Sequence, residues 1–138
     1  MKHFEVVGAV ILYDRKILCM QRGPGKNKET EYRFEFPGGK IEAGESMPDA
    51  LMRELSEEMD LQVTIREEDY FMTSDYTYPD CSILLHTFLV HTKKPSFTRK
   101  EHISHIWMPP ENLLVLDWAP ADLPVAKALY EKGDTLFS

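Results

Sequence analysis

Residues 39–61 read GKIEAGESMPDALMRELSEEMDL. Inside this run, Arg53-Glu54-Leu55-Ser56-Glu57-Glu58 places three carboxylates at i, i+3 and i+4. On a helix they project from one face, within a few ångströms of each other. Like charges that close repel and raise one another's pKa. A hard divalent cation with oxygen ligands removes that cost. The helix is well signalled. Ser46 is an N-cap residue with Asp49 three positions later, and Pro48 falls in the first turn, where its missing N–H is harmless. Met47, Leu51, Leu55 and Met59 form an apolar stripe from which Glu54, Glu57 and Glu58 are displaced. Arg53 and Glu57 form an i, i+4 pair that ties one carboxylate down.

Upstream, Phe36-Pro37-Gly38-Gly39-Lys40 opens a tight loop closed by Gly44 and Glu45. Bare glycine backbone there can approach a phosphate or a metal closely, and Lys40 adds a positive charge. An acidic run on a helix is ordinarily a solvated face. The glycine loop, the arginine and the cap argue instead for a built Mg²⁺ site, and hence for phosphate chemistry.

Outward from this segment, Phe4 to Tyr13 predicts a buried strand, Asp14-Arg15 a turn and Lys16 to Arg22 the hairpin partner. Gly23 to Tyr32 is a polar loop, and Arg33 to Phe36 a short strand. Leu61 to Glu67 and Tyr70 to Tyr78 are expected as strands, Pro79-Asp80 as a turn and Ser82 to His91 as the return. Thr92 to Lys100 is a second polar loop before a strand over His105 to Met108. The last helix starts at Pro120 or Ala121, runs to Lys132 and is closed by Gly133. Mixed strands with two main helices predict an α/β sandwich around a mixed sheet, in one domain over residues 1–138.

The spacing G-x5-E-x7-R-E-L-x-E-E-x-x-L, from Gly39 to Leu61, resembles the Nudix box of nucleoside-diphosphate-linked hydrolases. Asp60 departs from it, where the pattern has glycine; Asp tolerates left-handed geometry better than most residues. FEFPGGKIEAGE and LDWAPADLPVAKAL extend the similarity to the MutT-like branch, and A-P-A-D-x-P to CTP pyrophosphohydrolases. The resemblance implies a Nudix α/β/α sandwich. It implies Mg²⁺, with Mn²⁺ as an alternative, on Glu54, Glu57 and Glu58, helped by the Gly38 carbonyl and by Glu101 from the loop before Trp107. Glu54 or Glu101 would be the base, Arg53 would orient the glutamates, and Glu45 would brace loop and helix. Arg22 would meet phosphate, with Lys40 nearby. Asp122 would read the base, with Tyr78, Tyr76 or Phe36 lining its pocket. An ionised Asp only accepts hydrogen bonds, and cytosine offers its N4 amino group. Asp122 is equally a natural helix cap. Glu35 would support the loop or touch a metal. Cys81 stands where MutT proper has arginine near the base. His102 and His105 lack the partners of a zinc set and take no metal role.

The implied reaction converts a nucleoside triphosphate to the monophosphate and pyrophosphate. Alternatives are sanitising 8-oxo-dGTP, cleaving nucleotide sugars or ADP-ribose, and non-catalytic nucleotide sensing. The net charge of −7 argues against a nucleic-acid polymer as partner. Cys19 and Cys81 read as packing residues of a reduced compartment. With no signal-peptide pattern and no apolar run of membrane length, the expectation is a cytoplasmic enzyme that does not engage a membrane.

Overall fold

The computed structural model describes residues 1–138. β1 (Lys2–Tyr13) and β2 (Lys16–Gln21) form a hairpin, followed by β3 (Phe34–Glu35) and β4 (Gly38–Lys40). α1 (Met47–Met59), β5 (Tyr70–Thr77), β6 (Cys81–His91), β7 (Ser104–Met108) and α2 (Leu123–Lys132) complete the main elements, with short 3-10 turns between and after them. The sheet runs β3-β2-β1-β6-β5, with β4 also on β1 and β7 also on β2. β1 and β6 are parallel from Lys2↔Cys81 to Leu12↔His91, and the other pairs are antiparallel, so the sheet is mixed.

Strand periodicity sorts the core into two layers. Val7, Ala9 and Ile11 face α1 and pack with Leu51, Leu55 and Met59. Val10 and Leu12 face the other way, onto Val125, Ala126 and Leu129 of α2 and onto Trp118. The result is the expected α/β sandwich around a mixed sheet.

The β1–β2 hairpin turns through Asp14 and Arg15, both in the left-handed region (φ 50° and 60°), as a two-residue turn of matching twist requires. Between β3 and β4 the chain crosses from the edge of β2 to β1. The Ala9 N–H donates to the Pro37 carbonyl at 2.8 Å and seals that crossing. Gly38 then lies so close to β1 that a Cβ there would sit 1.9 Å from the Val7 carbonyl oxygen.

Two expected elements differ. Leu61 to Glu67 is not a strand: it runs without regular structure to a 3-10 turn at Glu67–Asp69. Leu61 and Ile65 are buried while Gln62 and Thr64 are exposed, so alternation reported burial but no neighbour pairs with the backbone. α2 starts at Leu123, with Asp122 at its N-cap position, but the Asp122 side chain gives no cap, because Oδ2 accepts from the Phe36 N–H at 2.9 Å.

Candidate active site

α1 begins as its sequence dictates, with the Asp49 N–H donating to Ser46 Oγ at 3.1 Å. Its apolar stripe docks on the sheet and turns Arg53 and Glu54 toward β4. Arg53 is the hub. Its Nε and Nη2 donate to both Glu45 oxygens at 2.7 and 3.0 Å, a bidentate fork. Nη1 reaches Glu54 at 2.9 Å and Glu57 at 3.3 Å, and Nη2 also donates to the Lys40 carbonyl at 3.1 Å. One guanidinium therefore joins loop, β4 and helix. Glu45 also accepts from the Glu42 N–H, and Arg53 first, then that bond, holds its carboxyl below the usual range.

Gly39 makes room for Glu54. A Cβ at Gly39 would sit 2.4 Å from the Glu54 carboxyl carbon, so only glycine lets this carboxylate lie against β4. Glu58 is half-buried and flanked by Glu54 and Glu101. Burial, followed by those neighbours, pushes its carboxyl up to about 9. Glu57 is more open, with its side chain 62% exposed. No three His, Cys, Asp or Glu side chains yet converge in coordinating geometry, and Arg53 shares the oxygens of Glu54 and Glu57. The donor set nonetheless fits a hard divalent cation: crowded carboxylate oxygens, among which Glu58 holds its proton more tightly for want of a positive charge.

Beside these carboxylates lies a cleft of about 160 Å³ lined by Arg22, Glu35, Gly38, Gly39, Tyr78 and Asp122, among others. That is below the ~300–1,000 Å³ of drug-sized ligand pockets. It suits one ring system, with a phosphate chain left to the open carboxylate side. Phe36 stacks on Trp118 at 4.8 Å between ring centres and forms a wall. The Tyr78 hydroxyl accepts from the Ala121 N–H at 3.3 Å, and burial pushes the phenol up to about 12, so it stays protonated. Asp122 is buried; that burial first, and Glu35 second, raises its carboxyl well above the carboxylate range. The side chain expected as an ionised acceptor is thus favoured in its neutral form. A larger groove of about 1030 Å³, between Asp60–Thr64 and His91–Thr98, gathers no comparable chemistry.

Arg22, Glu35, Tyr78 and Asp122 therefore meet in one cleft, next to the Arg53 cluster. Lys40 does not line it: its ammonium lies over the Phe4 ring, 4.2 Å from the centroid. Cys81 opens β6 outside the lining, and Tyr76 packs edge-on against Tyr78 rather than entering. His102 contributes unexpectedly. Its Nε2 meets Glu35 at 2.8 Å while Arg22 holds the other Glu35 oxygen at 3.3 Å. Nothing in the local pattern around His102 signals a partner 67 positions earlier.

The NUDIX domain profile matches residues 2–129. The chain is a Nudix hydrolase. It is 38% identical over 128 residues to a CTP pyrophosphohydrolase of Escherichia coli, covering 93% of this chain and 92% of that one. An 8-oxo-dGTP diphosphatase of the same bacterium is 37% identical over 97 residues, 70% of this chain and 74% of the relative. The solution structure of a MutT protein from methicillin-resistant Staphylococcus aureus superposes with a TM-score of 0.74 at 37% identity, covering 96% of this chain and 100% of that one. Nudix hydrolases use divalent metals on small nucleotide substrates, which agrees with the carboxylate cluster beside this cleft. No helix of this Nudix hydrolase is long and apolar enough to cross a membrane.

Proposed function

We propose that this Nudix hydrolase is a Mg²⁺-dependent pyrophosphohydrolase that converts CTP or dCTP to the monophosphate and pyrophosphate. The observation that carries the reading is the placement of Asp122 at the back of a ring-sized cleft, beside the Arg53-organised carboxylates. The similarity to a CTP pyrophosphohydrolase over nearly the whole chain supports it.

Glu54, Glu57, Glu58, Glu101 and the Gly38 carbonyl would hold the metal. When bound, it neutralises phosphate oxygens and lowers the pKa of a coordinated water. Arg53 and Glu45 hold Glu54 in place against Gly39. Arg22, at the cleft mouth, is available to a phosphate once it releases Glu35. Glu54 or Glu101 takes the proton of the attacking water. That water forms a new bond to the phosphorus it attacks, and the bridging P–O bond between the α- and β-phosphates breaks, so that nucleoside monophosphate and pyrophosphate part. Asp122 selects the base, with Phe36 and Tyr78 as walls. The substrate is a free nucleotide of the cytoplasmic pool rather than a polymer, in keeping with the charge of −7.

The test is turnover of CTP, dCTP, 5-methyl-dCTP, UTP and 8-oxo-dGTP with Mg²⁺, with monophosphate and pyrophosphate both quantified. The cytosine nucleotides are expected to lead, with the two products in equal amounts. A preference for 8-oxo-dGTP by orders of magnitude would transfer the assignment to purine sanitation, the activity in the name of the second relative. Release of phosphate alone would reject the reaction type.

A further inference from the structure

Glu101 has no regular element to hold it, since the chain from 92 to 103 joins β6 to β7 without helix or strand. A catalytic group displaced by about 1 Å can cost roughly a hundredfold in rate. The residues on either side of Glu101 are both tied down, each to a different element. Lys100 donates its ammonium to the Glu57 carbonyl at 3.1 Å and to the Asp60 carboxylate at 2.9 Å. The Glu57 carbonyl lies in the last turn of α1, where carbonyls lack helical partners and attract cations. The Thr98 N–H donates to the Met59 carbonyl at 2.9 Å in the same place. On the other side His102, its side chain 8% exposed, bonds Glu35 at 2.8 Å. Glu35 belongs to β3, in register with Met20 of β2, so this anchor is part of the sheet.

We infer that Lys100 and His102 are positioning residues, a two-point clasp that carries the loop from the end of α1 to β3 and sets Glu101 against Glu58. The inference rests on the reading of Glu101 as a metal-site carboxylate. The α1 end of the clasp depends on the residue that departs from the box pattern. Asp60 sits at φ 50°, ψ 34°, a conformation glycine adopts at less cost. Asp60 provides what glycine lacks, a second acceptor for Lys100. Their side chains are 57% and 44% exposed, and pairs that open add little stability. Their contribution is to geometry.

The clasp is tested by hydrogen–deuterium exchange of residues 96–103 in the metal-free protein, together with steady-state kinetics at saturating Mg²⁺. Lys100→Ala and His102→Ala are each expected to speed exchange severalfold. They should lower kcat by roughly five- to tenfold while KM changes by less than about twofold. His102→Gln keeps an N–H donor within reach of Glu35 and should recover kcat to within about twofold of wild type. Asp60→Gly should split two readouts, raising or preserving Tm while speeding exchange of the loop. Unchanged exchange in both Lys100→Ala and His102→Ala overturns the clasp, as does faster exchange with wild-type kcat. Glu101→Gln separates the two ideas. If it is as active as wild type, the metal-site reading of Glu101 fails and the clasp loses its purpose. If it is inactive while exchange in the clasp variants is unchanged, only the clasp fails. Lys100→Ala is an exposed substitution that leaves the core intact, so the test survives if a His102 variant does not fold.

Discussion

Asp122, the proposed base reader, is a buried carboxyl whose protonation would set the preference. Taken out of water with no cation of its own, a carboxyl favours the neutral form. The nearby Arg22 guanidinium is engaged by Glu35, and Glu35 itself repels negative charge on Asp122. A neutral carboxyl presents an O–H donor beside an acceptor oxygen. Turned one way that pair matches cytosine, N3 beside the N4 amino group, and turned the other way it matches uracil, N3–H beside O4. An ionised Asp122 only accepts, so the oxygen facing position 4 takes a hydrogen of the cytosine amino group and repels the uracil O4. The raised pKa means the neutral form, which does not tell the two bases apart, is populated below it and gives way to the selective ionised form as pH climbs through it. The ratio of kcat/KM for CTP over UTP should therefore rise with pH in the wild type. It should stay flat in Asp122→Asn, whose amide does not titrate. Asp122→Ala should cut the ratio roughly tenfold, since a well-placed base contact is worth about 1–3 kcal/mol. Taking the ratio cancels effects on metal and phosphate that both nucleotides share. A wild-type ratio that is flat at every pH where the enzyme stays folded would remove Asp122 from base reading.

At the scale of elements, the junction of α1 with β4 depends on shape as much as charge. Five donor sites on one planar guanidinium meet Glu45, Glu54, Glu57 and the Lys40 carbonyl together. Lysine keeps the charge but has no fork. Arg53→Lys should destabilise the fold by about 1–2 kcal/mol, read as a shift of the urea midpoint at constant m. It should lower kcat far more than it raises KM, because Glu54 loses its alignment while the base cleft is untouched. A KM effect alone would make Arg53 a substrate-binding residue. The irregular run from Leu61 to Arg66 belongs to this scale too. Alternation at Leu61, Val63 and Ile65 is what a side chain needs to reach a core, and a coil can meet that need without a ladder.

For the molecule as a whole, the carboxylate cluster links stability, pH and metal. Glu58 binds its proton more tightly folded than unfolded. The folded state therefore holds more protons between the two pKa values, and stability falls as pH rises across that interval. For the metal-free protein the window runs from the ordinary carboxylate value, 4.5, to about 9. If Glu58 holds Mg²⁺ as proposed, the metal takes the proton's place and should flatten the decline. Melting curves at a series of pH values, with Mg²⁺ and with a chelator, should diverge progressively on the alkaline side. Calorimetry in buffers of different ionisation enthalpy should show protons released as Mg²⁺ binds near neutral pH. Parallel melting curves would show that Glu58 does not share the metal's site.

Much of this protein was legible in a short run of residues. The cap at Ser46, the stripe from Met47 to Met59 and the arginine among glutamates are local patterns, and local hydrogen bonding and side-chain spacing suffice to read them. The strands announced themselves through β-branched runs, and the hairpin through its turn. The roles of Arg22 and Asp122 were accessible only as a family resemblance, and the convergence of Arg22, Glu35 and Asp122 in one cleft was not, because Arg22 follows β2, Glu35 lies in β3 and Asp122 precedes α2. The His102–Glu35 bond, the seat of Lys40 on Phe4 and the raised pKa of Asp122 were not legible at all. A side chain's partner and its protonation depend on which distant segments remove its water. Folding settles that by packing both faces of one sheet at once, and no window of neighbouring residues contains it.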